Sequence, residues 1–135
     1  MSFLSALNSS ASGLSAHRVW MDLISGNIAN ANTTRTASGG PYTRKLAVFA
    51  DLTDAEGNVL GVKVSRLAED AAPPRLVYEP GHPDANPEGY VAYPNVDIML
   101  EMVDLIAASR AYEANITAME AAKDMAMQTI GLLRA

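Results

Sequence analysis

From Asp97 to Ala135 the chain holds neither glycine nor proline until Gly131, and apolar residues recur along it at heptad spacing. The stripe runs Met102, Leu105, Ser109, Tyr112, Ile116, Met119, Lys123, Ala126, Ile130 and Leu133. A seven-residue repeat keeps one face turned to a partner helix, so the segment reads as coiled-coil helix. At a rise of 1.5 Å per residue it is roughly 55 Å long. A compact domain of 135 residues has a radius of gyration of about 14 Å. Such a helix protrudes from its own domain or is buried by other chains, which points to an assembly subunit.

A second helix is expected at the other end, from Ser2 to Ala31. Leu4, Leu7, Ala11, Leu14, Met21 and Ile28 keep the same spacing, interrupted by Arg18 and Ser25. Gly13 and Gly26 each cost about 1 kcal/mol relative to Ala in a helix, so this helix depends on packing. Asn30, Asn32, Thr33 and Thr34 favour side-chain-to-backbone bonds and end it. Asn27, Asn30 and Asn32 are either a helix-end cap or a register device, in which Asn27 and Asn30 bond across to another helix. Ser109, Tyr112 and Asn115 share a comparable face of the last helix.

The middle differs in kind. Tyr42 to Phe49 reads as a strand, Asp54 to Asn58 as a turn, and Val59 to Leu67 as a second strand, which together suggest a hairpin. Ala72-Pro73-Pro74 breaks the pattern, and Arg75 to Glu79 is a short third strand. Pro80 to Gly89 is a turn-rich loop. Tyr90 to Tyr93 is extended, and Asp97 or Asn95 caps the last helix. The expected fold is mainly α with a small β insertion. Long N- and C-terminal helices form an antiparallel coiled coil, divided as 1–34, 35–94 and 95–135. Between Ile98 and Ala108 the apolar residues cover nearly the whole circumference. A helix apolar all round is buried all round, so either the insertion or neighbouring subunits must cover it.

Little here suggests catalysis. There is no cysteine, which excludes disulfides, thiolate metal sites and a Cys nucleophile. No phosphate-binding glycine loop, nucleophile elbow or His-Glu-x-x-His motif occurs. His82 has only Asp84 nearby, so no metal or other cofactor is expected. The pair Glu101 and Asp104 reads as a solvated helix face. Net charge is −5, which argues against nucleic acid. Residues 1–50 carry +3 and the rest −8, an asymmetry that reads either as an ordinary solvated surface or as an aid to contacts between neighbouring copies through Arg44 and Lys45. Glu101 and Asp104 break the longest apolar stretch, so no membrane span is expected. The start lacks the basic and apolar regions of a cleavable secretion signal.

Asn27-Ile28-Ala29-Asn30-Ala31-Asn32-Thr33 resembles the N-terminal signature of the flagellar rod and hook proteins. Ala107-Ala108-Ser109-Arg110-Ala111-Tyr112-Glu113-Ala114-Asn115 resembles their C-terminal helix motif. The stretches from Pro74 to Asn86 and from Glu88 to Val96, with Gly39-Gly40-Pro41-Tyr42, are similar to proximal-rod members. The resemblance implies a structural subunit of the bacterial flagellar basal-body rod that transmits torque from motor to hook. It implies as partners other rod subunits, the hook-basal-body adaptor protein FliE, copies of itself and the flagellar type III export apparatus. It also implies a place in the rod crossing the periplasm, reached without signal cleavage. The residues expected to pack subunits are Leu4, Leu7, Leu14, Met21, Ile28, Met102, Leu105, Ile116, Met119 and Ile130. Those expected to set register are Asn27, Asn30, Thr33, Ser109, Tyr112 and Asn115. The alternative reading is a soluble coiled-coil adaptor of a type III secretion system.

Overall fold

The structure, a computed structural model, describes residues 3–134. The ends of the two expected helices at Ser2 and Ala135 lie outside the described residues. Helix α1 spans Phe3–Ala29 and helix α2 spans Ile98–Arg134. Between them lie strands β1 (Lys45–Thr53), β2 (Val59–Glu69), β3 (Arg75–Tyr78) and β4 (Tyr90–Tyr93). They form two separate antiparallel hairpins, β1 with β2 and β3 with β4. The second hairpin turns the expected loop and extended stretch into a paired unit, with Arg75 opposite Tyr93 and Tyr78 opposite Tyr90.

The helix ends follow side-chain chemistry. Asp97 Oδ1 accepts from the Met99 and Leu100 amides at 2.9 and 3.3 Å. Asp97 is therefore the N-cap, satisfying donors that have no partner within the helix. At the other end of the molecule's first helix, Asn30 Nδ2 donates to the Gly26 carbonyl at 2.9 Å and Thr33 Oγ1 to Asn30 Oδ1 at 3.2 Å. In the first hairpin's turn, Asp54 accepts from the Glu56 and Asn58 amides and from the Asn58 side chain. The Asn58 side-chain bond, followed by the Asn58 amide, holds the Asp54 carboxyl below its usual pKa.

The two helices run antiparallel. Asn27 of α1 bonds Glu101 of α2 at 3.1 Å, and Gly13 lies against the Asn115 side chain. Asn27 comes fourteen residues after Gly13 and Glu101 fourteen before Asn115, two heptads on each helix. Buried α2 positions recur at seven-residue spacing through Glu101, Ala108 and Ala122, with Asn115 half-buried between the last two. A second series, Leu105, Tyr112, Met119 and Ala126, is half-buried.

The expected α2 stripe is thus half displaced. Leu105, Tyr112, Met119 and Ala126 line the inner face, but Met102, Ile116 and Lys123 are exposed and Ser109 is half-buried. The positions one residue earlier face inward instead. The same shift occurs on α1, where Gly13 and Asn27 are buried and Leu14 and Ile28 only half-buried. The reason is steric. A Cβ at Gly13 would lie 2.9 Å from Asn115 Oδ1, so the backbones approach too closely for large side chains between them. Small and polar residues take the centre, and the large aliphatic ones flank it.

The β1–β2 hairpin lies along α1. A Cβ at Gly61 would fall 2.1 Å from Ser12 Oγ, and the Val62 amide donates to that oxygen at 3.1 Å. Further along, Phe49 meets Trp20 edge-on with centroids 5.8 Å apart, and His17 sits beside both rings. His17 therefore belongs to the aromatic seam between helix and hairpin. The α1 helix is the middle layer, with α2 and the hairpin packed against it. The second hairpin is tied to the segment after α1 through Asp84. That carboxylate accepts from Thr34 Oγ1 at 2.8 Å and pairs with Arg35 at 2.7 Å.

Candidate subunit interface

Most of α2's large apolar side chains are exposed in the single chain. Near its start Ile98, Met99, Leu100, Met102, Val103 and Ile106 are all exposed, Val103 at 61%. The insertion leaves this collar bare, because both strands of the first hairpin pack on α1 and neither on α2. At the far end Met125, Met127, Ile130, Leu132 and Leu133 are exposed, Leu132 at 80%. If the Gly13–Asn115 spacing is continued, Phe3 is level with Met125. The last turns of α2 therefore run past the start of α1. No described helix is long and apolar enough to cross a membrane.

Beside the collar lies a buried polar node. Glu101 and Asn27 are each 1% exposed. Asn27 uses its amide fully. Its Oδ1 accepts from the Tyr42 hydroxyl and the Lys45 amide, both at 2.9 Å. Its Nδ2 donates to the Lys45 carbonyl at 2.9 Å and to Glu101 Oε2 at 3.1 Å. Thus the side-chain amide pairs with both backbone groups of the first β1 residue, as a neighbouring strand would. Arg44 Nε donates to Glu101 Oε1 at 2.5 Å, while the rest of the guanidinium lies 3.5 Å from Asp70 and 3.8 Å from Asp104.

This node corrects two expectations. Glu101 is not on a solvated face. It is the charged half of a buried pair, which the short periodic pattern of α2 could not reveal because its partner is 57 residues away. Arg44 is not free for a neighbouring copy, being committed to carboxylates of its own chain. It also explains why β1 begins at Lys45 rather than Tyr42: Tyr42 and Arg44 are turned toward the helices. Burial opposes the Arg44 charge, but the hydrogen bond and field of Glu101, helped by Asp70, outweigh it and raise its pKa. Burial, then the negative charges of Glu101 and Glu69, push the Tyr42 phenol above its usual value.

The expected packing and register residues are scattered through this arrangement. Leu4 and Met102, Ile116 and Ile130 are exposed; Leu7, Leu14, Met21, Ile28, Leu105 and Met119 are half-buried. Asn27 reaches across to α2, whereas Asn30 and Thr33 bond locally at the end of α1. Asn115 donates to the Ala111 carbonyl in its own helix at 2.9 Å. Tyr112 and Ser109 are half-buried. Sequence reasoning named Glu101 and Arg44 but missed that they pair with each other. The signal for both was an acidic residue interrupting an otherwise apolar collar.

Two family profiles match the parts of the chain that build the helices. One, described as flagella basal body rod protein, matches residues 7–35. The other, described as flagellar basal body rod FlgEFG protein C-terminal, matches residues 88–132. The flagellar basal-body rod protein FlgC of Bacillus subtilis is 44% identical over 96% of this chain and 97% of its own length. That of Borreliella burgdorferi is 40% identical over 99% of both chains. That of Salmonella typhimurium is 40% identical over 98% of both.

Proposed function

We infer the function from one premise: this chain belongs to the FlgC family of flagellar basal-body rod proteins. It is a structural subunit of the proximal rod of the flagellum, assembling with other basal-body rod components. Its role is mechanical rather than catalytic. The alternative of a soluble secretion adaptor gives way to this membership.

The paired helices form an antiparallel coiled coil, residues 1–34 and 95–135, and residues 35–94 form the insertion at its side. The seven-residue recurrence of buried positions on α2 supports this pairing. The observation that carries assembly is the apolar length of α2 left bare in a single chain. A helix face of this kind is unfavourable in water at roughly 25 cal/mol per Å² of apolar surface. Neighbouring helices cover it: those of other rod subunits, of further copies and of the adaptor protein FliE. Leu4, Met102, Ile116 and Ile130 pack between subunits, and the half-buried aliphatic residues complete the seam. Interlocked helices then resist twist because close-packed interiors are stiff, and torque passes from motor to hook. The chain reaches the periplasm-crossing shaft through the flagellar type III export apparatus without signal cleavage.

Quantitative mass spectrometry of detergent-washed hook-basal bodies tests this. The expected result is this chain at a fixed ratio to other rod subunits. Its absence there, with the protein retained in the cytosol, would overturn the assignment.

A further inference from the structure

We propose that Asn27, Arg44 and Glu101 form a three-way lock that joins helix pairing and hairpin docking into one event within a single chain. Each member comes from a different segment: Asn27 from α1, Arg44 from the residue before β1, Glu101 from the first turn of α2. Neither strand of the first hairpin packs on α2, so the Arg44 side chain is the bridge between the insertion's root and that helix. Asn27 holds both backbone groups of Lys45 and, with the same amide, one Glu101 oxygen. Arg44 holds the other oxygen. One carboxylate therefore reads whether both the helix and the hairpin root are in place.

Partial closure is unfavourable. With α2 absent, the Asn27 Nδ2 loses an acceptor and Arg44 its buried partner. With the hairpin displaced, Glu101 is left as a buried charge without its guanidinium, the costliest state for an ionised side chain. The sequence separations are long, 57 residues for Arg44 and 74 for Asn27, so the lock closes only once the last helix has joined the rest. Asp70 and Asp104 surround the same guanidinium and keep it over the node. This device is independent of which neighbours the rod supplies.

Hydrogen exchange of the full chain, read by mass spectrometry, tests the lock. The Lys45 amide donates directly to Asn27, so segment 45–49 reports the hairpin root and segment 98–105 reports α2. Wild type is expected to protect both. E101Q keeps the shape and removes the charge, and R44Q removes the guanidinium. Each is expected to speed exchange at both segments together by at least tenfold, with the R44Q/E101Q double variant no faster than the faster-exchanging single. R44K, which keeps the charge but not the fork, serves where E101Q fails to fold, and the same joint acceleration is expected. Acceleration confined to 98–105, additive effects in the double variant, or an unprotected Lys45 in the wild-type chain would each overturn the proposal.

Discussion

Gly13 and Asn115 show how a single side chain sets the distance between two helices. The missing Cβ leaves room for the Asn115 carboxamide, which an alanine would meet at 2.9 Å. Gly13→Leu is expected to destabilise the chain by about 1–3 kcal/mol, the usual range for overpacking, read as a lower midpoint in thermal unfolding followed by circular dichroism. Tyr42 contributes a pH dependence to stability. Its folded pKa is raised, by burial first and then by Glu101 and Glu69. The folded state thus holds the phenolic proton more tightly than the unfolded chain does. That contribution is fully present below the ordinary value of 10.0 and is lost as pH rises through the higher folded value. Urea midpoints measured from pH 9 upward should fall for the wild type, and Tyr42→Phe should flatten that part of the slope. An equal slope in both would remove Tyr42 as its source.

At the scale of elements, α2 spans 37 residues and is about 55 Å long, yet α1 accompanies it only as far as Met125. Its first turn depends on Asp97, whose carboxylate accepts two amides. Asp97→Ala is expected to cost about 1 kcal/mol, and exchange should rise first in residues 98–101. Loss of protection throughout α2 instead would mean that the cap nucleates the whole helix. The first hairpin owes its seat to Gly61 over Ser12 and to the Phe49, Trp20 and His17 rings. These are contacts between distant segments, invisible to a strand pattern. The strand pattern did place β2 and β3 closely, because alternation and proline breaks are local. It placed β1 poorly, because its start is decided by Asn27 and Glu101.

At the scale of the whole molecule, the collar and the far end of α2 are left exposed by the chain itself, and they are the faces we propose that neighbours cover. Val103→Asp changes an exposed position, so the isolated chain should keep its stability within about 0.5 kcal/mol. Incorporation into basal bodies should nevertheless fall, and swimming with it. Normal motility from a stably expressed Val103→Asp chain would show that this face meets nothing in the rod. The heptad spacing and turn residues by themselves determined two terminal helices around a small β region, since each is a property of neighbours along the chain. Even the partial inner stripe of Leu105, Tyr112 and Met119 follows from that spacing. Which face turned inward was decided only by the tertiary structure. Close approach at Gly13 and the buried pair of Arg44 with Glu101 moved the seam by one residue. Periodicity records that a face is apolar; steric fit and charge pairing between remote residues choose which apolar residues are covered by the chain itself and which stay exposed.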